Sequence, residues 1–521
     1  MALVQDIATI SGITLMSRVT GLLRDILIAH TLGAGLAADV FLTAFRLPNL
    51  FRRLFAEGAF NAAFVPLYAA TLETDGRPEA DDFASRTLST ILLLLLIVVC
   101  LAEIIMPYLL LLFAPGFRHT PGKMAMATEL ARITFPYLLF ISVLSLQAGV
   151  LNALHRFAAA AATPVLLNLS MIGFLLGAAP FMAGPAYALV WGVSVAGVLQ
   201  LLWLSSICTR AGVHFSLHWP RWDARVCTFA RRILPVTFGA GLYQVNLMID
   251  TALASLVSDG AVSFLYYADR ISQLPLGVVG VAVGTALLPL LARQIGAGHA
   301  EEAIDSQNRA IEFALLLTVP ATVALIVLAE PIVSTLFERG AFGATERTAT
   351  ATTLVAFSVG LPAYVLNKVL TPGFFARHDT ATSVKIAILA LIVNVLLSLI
   401  LMGPFAHVGI ALSSALSAWL NVVVLGAVLY RRGQLRFDRR LKVRLPRLVV
   451  ISLVMGLFLI AGESALAPWQ LSSPVEWEHI RNISVLIIGG FIVFASLAHI
   501  SGTARPSDLK GLRRLGINSR R

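Results

Sequence analysis

Residues 88–113 read LSTILLLLLIVVCLAEIIMPYLLLLF, and this run decides the solvent in which the chain folds. A helix rising 1.5 Å per residue needs about 20 apolar residues to cross the hydrocarbon of a bilayer. Comparable runs fill the chain on both sides of it. Fourteen membrane helices are expected, near 3–30, 36–67, 88–113, 128–153, 161–180, 185–206, 232–256, 262–292, 311–330, 350–375, 381–402, 407–430, 447–463 and 482–500. The second is interrupted by Pro48, the eighth by Pro275 with Gly277, Gly280 and Gly284. Of the 521 residues 58% are apolar and 13% charged, with mean hydropathy +0.84. A soluble domain is nearer one quarter charged. The fold class is therefore an all-α polytopic membrane protein.

The net charge of +11 does not point to nucleic acid, because the charges sit in short segments between apolar runs. Cys100, Cys208 and Cys227 lack metal-ligand spacing and suggest no disulfide framework. The first arginine is Arg18 and no basic segment precedes the first apolar run, so that run is expected to be a retained span, not a cleaved signal. With the N-terminus placed in the cytoplasm, the cytoplasmic segments hold 26 Lys and Arg. The outer loops hold five: Arg118, Lys123, Arg339, Arg347 and Arg481. By the positive-inside rule both termini are expected in the cytoplasm.

An internal repeat sets the organisation. Phe41-Leu42 and Pro66-Leu67 recur as Phe264-Leu265 and Pro289-Leu290, and the same 223-residue offset carries Glu79 onto Glu302 and Arg86 onto Arg309. For Arg156 and Arg377 the offset drifts to 221. Residues 73–87 and 296–310 are expected as short cytoplasmic surface helices. Equivalent helices are six spans apart, so both halves share one orientation, a parallel repeat suited to alternating access. The expected organisation is an N-terminal lobe at 1–206 (spans 1–6) and a basic cytoplasmic linker at 207–231. A C-terminal lobe follows at 232–430 (spans 7–12), then a basic loop at 431–446, spans 13 and 14 within 447–500, and a basic tail at 501–521.

Eight cations fall inside spans: Arg18, Arg24, Arg46, Arg52, Arg53, Arg132, Arg270 and Lys368. Each arginine costs roughly 2.5–3.5 kcal/mol at mid-bilayer, so these side chains must face protein or a wet cavity. One reading is internal pairing. Asp25 lies seven residues after Arg18 on the same helical face, and Asp39, Arg46, Arg53 and Glu57 share a stripe of span 2 with Asn49 between. Pairing does not cancel the set, because spans 1, 2 and 8 hold six arginines against Asp6, Asp25, Asp39, Glu57 and Asp269, with Asp6 near the surface. The second reading is a hydrated anion-binding cavity. Guanidinium stays charged at any relevant pH and its forked donors match phosphate oxygens. Arg18, Arg24, Arg52 and Arg270 are its expected ligands.

Catalysis is not supported. There is no GxxxxGK[ST] loop for ATP. Ser17-Arg18 opens an SRxxxxxHxxxD phosphatase string, but Arg24 stands where its histidine nucleophile would be. For coupling, Asp250 in span 7 could bind Na⁺ or a proton, with Asn394 and Ser398 one turn apart in span 11. It could equally hold Asn246 or nearby backbone.

The strings SRVTGLLRD (17–25), FRLPNLFRRLFAEGAFNAAFVPLYA (45–69), RFAAAAATPVLLN (156–168) and ADRISQLPLGVVGVAVGTALLPLLAR (268–293) resemble the MurJ (MviN) lipid II flippase family. That family lies within the multidrug/oligosaccharidyl-lipid/polysaccharide flippase superfamily. The resemblance runs the length of the chain. It implies fourteen spans in two lobes plus two extra helices forming a groove for a polyprenyl tail. It also implies a bacterial inner-membrane flippase, not an enzyme, that exports lipid II, the undecaprenyl-pyrophosphate-linked disaccharide-pentapeptide. Arg18, Arg24, Arg52 and Arg270 would line the cavity, with Ser17, Asp25, Asp39, Asn49, Arg53, Glu57 and Asp269 supporting them. No cofactor is expected, and an Na⁺ or H⁺ gradient or the membrane potential would drive transport. Membrane lipids surround a chain expected to be monomeric. Two positions depart from the family pattern. Gln273 stands where an acid is common, and Val384 replaces a proline in RHDTATSVK. The alternatives are a flippase for another polyprenyl-linked oligosaccharide, a drug/cation antiporter, which the arginine excess disfavours, and a membrane scaffold.

Overall fold

The computed structural model describes residues 2–51, 59–219, 224–471 and 476–504, and within them every regular element is a helix. The chain divides into two compact units, 1–263 with 339–342, and 264–338 with 343–521. This partition by packing differs from one by repeat, since residues 232–256 pack with the first unit.

In the first unit, α1 (Ala2–Leu32) and α2 (Leu36–Phe51) are followed by α3 (Ala59–Thr74) and α4 (Arg77–Phe113). After them come α5 (Lys123–Thr134), α6 (Tyr137–Ala153), the short α7 (Phe157–Ala161), α8 (Thr163–Gly177), α9 (Pro185–Arg210) and α10 (Ala224–Val257). Their apolar faces interlock: α8 and α6 pack on α9, α1 on α8, α2 on α5, and α10 on α3. Phe64 anchors an aromatic core, with its ring 5.8 Å from Tyr68 and 5.6 Å from Phe83. Gly116 is required where the loop after α4 meets α10. It donates its N–H to Ser255 Oγ at 3.0 Å, and a Cβ there would lie 1.8 Å from the Ser255 carbonyl oxygen.

The second unit begins within α11 (Ala261–Gly296). It continues through α12 (Ala300–Val327), α13 (Ala329–Phe337), α14 (Ala344–Phe375), α15 (Thr380–Arg431), α16 (Arg439–Leu471) and α17 (Glu476–Ile500). The run α15 is two helices bent at Ala406 (φ 51°, ψ −132°), just after Gly403-Pro404, as the break between spans 11 and 12 anticipates. Among the described residues, nine helical segments are long and apolar enough to cross a membrane. Gln244–Val257 and Ala286–Gly296 are shorter apolar helices. Leu93, Leu94, Leu96, Ile97 and Ile104 on α4 are exposed, as lipid-facing side chains are. The chain is a multi-pass membrane protein.

Two expectations need correction. The polar stretches 73–87 and 296–310 are not separate surface helices. Residues 73 and 74 end α3, Gly296 ends α11, and the helical part of each stretch otherwise forms the first turns of α4 and α12, which run on into apolar helix without a break. No proline interrupts 79–106 or 300–319. Those turns are packed, with Phe83 and Ala84 buried and Ser85 Oγ accepting from Ser216 N–H at 3.2 Å. The second correction concerns register. Arg156 corresponds to Asp379, not Arg377. His155 and His378 both have φ 59°, and identical turns surround them. Arg156 N–H donates to Leu151 C=O at 2.8 Å, and Asp379 N–H to Phe374 C=O at 3.0 Å. Both ends of those bonds keep the 223-residue offset. Sequence matching paired like side chains across the turn, whereas the backbone repeats the turn itself.

Candidate functional site

The expected site residues on α1 separate into two environments. Arg24 is buried. Its Nη2 and Nε donate to Asp25 Oδ1 at 2.7 and 3.0 Å, its Nη1 to Asn168 Oδ1 at 2.9 Å, and its guanidinium lies 5.7 Å from the Phe45 ring centroid. Asn168 on α8 in turn donates to the Ser17 carbonyl at 3.1 Å and Thr20 Oγ1 at 3.2 Å, locking α1 to α8. Asp25 thus pairs with Arg24, its neighbour, and not with Arg18 as its helical spacing suggested. Arg18 is exposed, and its side chain makes no hydrogen bond or ion pair among the described residues. Asn168 was not anticipated as a site residue. The signal was available, because it is the polar end of the family string 156–168 inside an otherwise apolar helix.

Asp39, expected to share a stripe with Arg46, Arg53 and Glu57, has different partners. Fully buried on α2, it accepts from Lys123 Nζ at 2.9 Å, Gly260 N–H at 2.8 Å, Ser263 N–H at 3.0 Å and Ser263 Oγ at 2.7 Å. The sequence pattern puts Lys123 in an outer loop. It is instead 1% exposed at the first turn of α5, where it also bonds Asp259 at 2.6 Å and lies 4.4 Å from the Phe117 centroid. A lysine following Thr-Pro-Gly reads as a loop cation, and only the fold brings two aspartates to it. Arg46 Nη1 donates to Thr251 Oγ1 at 2.6 Å, and Asn49 Nδ2 to the Phe45 carbonyl at 2.8 Å. Arg52, Arg53 and Glu57 lie outside the described residues.

In the second unit Arg270 Nη2 and Nε donate to Tyr266 Oη at 3.1 and 3.2 Å, and the guanidinium stands 5.1 Å from that ring's centroid. Asp269 accepts from Gln273 Nε2 at 2.6 Å, so the glutamine at the departure position acts as a donor to its neighbour's carboxylate. Asn394 and Ser398 are buried one turn apart. In the first unit Asp250 accepts from Asn246 Nδ2 at 3.1 Å. No cluster of three or more metal-ligating His, Cys, Asp or Glu occurs among the described residues.

Apolar helices of membrane-crossing length, carrying arginines held by amides, rings and carboxylates, define a polytopic α-helical membrane protein with charged groups inside its spans. Its fold is shared with a solved structure titled "Lipid II flippase MurJ, inward closed conformation" (TM-score 0.78, 24% identity, 94% of this chain and 98% of that one). It is also shared with a multidrug resistance MATE family transporter of the MOP superfamily in an inward-facing conformation (TM-score 0.68, 15% identity, 82% and 97%). The family described as lipid II flippase MurJ matches residues 28–477. A probable lipid II flippase MurJ of Rhizobium tropici is 46% identical over 506 residues, covering 96% of this chain and 95% of that protein. The lipid II flippase MurJ of Burkholderia cenocepacia is 37% identical over 438 residues, 83% and 85% of the two chains. The chain belongs to the lipid II flippase MurJ family.

Proposed function

We propose that this chain translocates lipid II from the inner to the outer leaflet of the bacterial inner membrane by alternating access, without ATP hydrolysis. Fourteen spans, twelve of them in a parallel repeat of two lobes, and both termini in the cytoplasm complete the proposal. Arg18, Arg24, Arg52 and Arg270 bind the substrate pyrophosphate, with Arg18 making the freest contact. The observation that carries the assignment is Arg18 itself: an exposed guanidinium with no protein partner among the described residues, on a membrane helix of a chain in this family. A free, forked, permanently charged donor group is suited to a phosphate oxygen. Ser17, Asp25, Asn49, Asp269 and, by the family resemblance, Arg53 and Glu57 support those arginines. Asp39 supports the fold around α2. Asp250, Asn394 and Ser398 are proposed to serve a coupling cation, with Na⁺ or H⁺ as the driving ion.

The test is depletion of the protein in its host, followed by measurement of lipid II on each leaflet. Accumulation on the inner leaflet, reversed by the intact chain but not by an Arg18→Ala variant of normal abundance, is expected. An unchanged leaflet distribution after depletion overturns the proposal. Topology is tested separately by cysteine labelling of intact cells, where reaction at position 440 from outside would reverse the orientation.

A further inference from the structure

The first unit contains a cavity of about 510 Å³ bounded by α1, the His155 turn, α7 and α9, and none of the proposed substrate arginines lines it. Ligand sites run from roughly 300 to 1,000 Å³. Its polar wall is His155 and Arg156, and its apolar wall includes Ile13, Phe157, Trp203 and Ile207. Arg156 is exposed and its side chain has no hydrogen bond or ion pair among the described residues. The Trp203 indole N–H donates to the Ala159 carbonyl at 3.3 Å, which fixes the ring. Next to Trp203, Leu199 and Leu202 are also exposed on α9.

The equivalent turn of the second unit shows that an open cation is not dictated by the turn. There the position of Arg156 is occupied by Asp379, which accepts from Arg432 Nη1 at 2.6 Å and from Thr382 N–H at 3.1 Å. One turn has a paired carboxylate at this position and ties its own Arg377 to the Gly373 carbonyl, while the other leaves a guanidinium over a cavity beside a tryptophan and exposed leucines. Tryptophan favours the headgroup level of a bilayer, and arginine supplies forked donors to phosphate. An occupant must present one anionic phosphate to Arg156 and apolar chains along α9.

We propose that the His155–Arg156 cavity binds the phosphodiester headgroup of an anionic phospholipid, a structural lipid distinct from the transported substrate. Its tails lie along Leu199, Leu202 and Trp203. The site does not depend on transport activity.

The test uses the full chain in nanodiscs containing brominated phosphatidylglycerol or brominated phosphatidylcholine of the same chain length. The Trp203 signal is isolated by subtracting a Trp203→Phe variant. Quenching of Trp203 by the anionic lipid should exceed that by the zwitterionic one several-fold at equal mole fraction, and Arg156→Gln should remove the preference. An Arg432→Gln variant, which alters the other turn, should retain it. Equal quenching by the two lipids overturns the proposal, as does an Arg156→Gln protein of normal abundance with its preference intact. If millimolar inorganic phosphate abolishes the preference in the wild-type protein, the cavity takes free anions and the lipid assignment fails.

Discussion

Arg24 and Lys123 are the buried cations among the described residues, and they are buried in opposite company. Lys123 bridges two carboxylates, Asp39 and Asp259, so its neighbourhood is net negative and closed by backbone donors at the start of α11. Arg24 pairs with the carboxylate of Asp25, donates to the neutral amide of Asn168 and lies over the Phe45 ring. That pair is neutral, and Arg18 lies exposed about two turns earlier on α1. A span position therefore does not make a cation a ligand, nor does a loop position make it solvated. The partner set assigns the role: Lys123 ties helices together, Arg24 holds α1 to α8, and Arg18 remains available to an anion.

The largest effect should come from the closed network. Lys123→Met leaves the Asp39 carboxylate buried without its cation, and breaking a buried pair from one side costs roughly 3–5 kcal/mol. The expected outcome is a marked fall in thermal stability in detergent and in membrane abundance. Adding Asp39→Asn should recover part of the loss, because an amide needs no counter-charge. A Lys123→Met protein as stable as wild type would break the comparison at its strongest point.

Asn168→Ala acts on the other region. It removes the acceptor of Arg24 Nη1 and the donor to the Ser17 carbonyl, leaving buried groups short of partners at roughly 1–3 kcal/mol. Stability should fall less than in Lys123→Met, and transport should fall with it, because α1 loses the contact that orients it. A variant that lost stability at undiminished transport per folded molecule would separate Asn168 from the arginines.

Arg18→Ala should do the reverse. An exposed side chain without partners among the described residues contributes within about 0.5 kcal/mol to folding. Loss of a charged hydrogen bond to substrate, at roughly 1.5–3 kcal/mol, implies a drop of about tenfold or more in lipid II translocation. Arg18→Lys should recover only part, since the ammonium keeps the charge without the fork. Normal flipping by Arg18→Ala would return Arg18 to the surface and leave the anion site elsewhere.

The legibility of these regions follows their chemistry. The nine membrane-length helices among the described residues were readable because lipid demands long apolar runs, and the break at Ala406 because one such run ends at 402 and the next begins at 407. The Phe-Leu and Pro-Leu pairs suggest a 223-residue offset, which the His155 and His378 turns keep, but the register at residues 151–156 was not readable. A turn conserves backbone geometry, and matching arginines moved the alignment by two residues. That arginines lay within α1 was plain, yet helical spacing chose the wrong partner for Asp25, because a guanidinium can fold back to its neighbour. The Lys123 network was hidden because its members, Asp39, Asp259 and Ser263, are distant in sequence and individually ordinary. The continuity of α4 and α12 was obscured by composition, since charge density suggests a boundary where the backbone needs none.

The smallest effect sharpens the comparison by moving an ion pair into water. Arg432 and Asp379 join the end of α15 to its beginning at 2.6 Å, with both side chains substantially exposed. Hydrogen bonds from Arg432 and Thr382 hold the Asp379 carboxyl down at about 2, below the usual range near 4. A depressed folded-state value means that the stabilisation is complete above the unfolded value. It fades as pH falls from about 4 toward 2. The Arg432→Gln protein should therefore be slightly less stable than wild type at pH 6, and the difference should vanish as pH approaches 2. Salt should shrink the difference at pH 6, because exposed charges are screened. Lys123→Met should show a smaller salt dependence, since Lys123 and Asp39 are buried and only its second partner, Asp259, reaches solvent. Parallel melting curves at pH 6 in low and high salt decide the matter. If both variants responded alike to salt, burial would not be what separates the two kinds of pair.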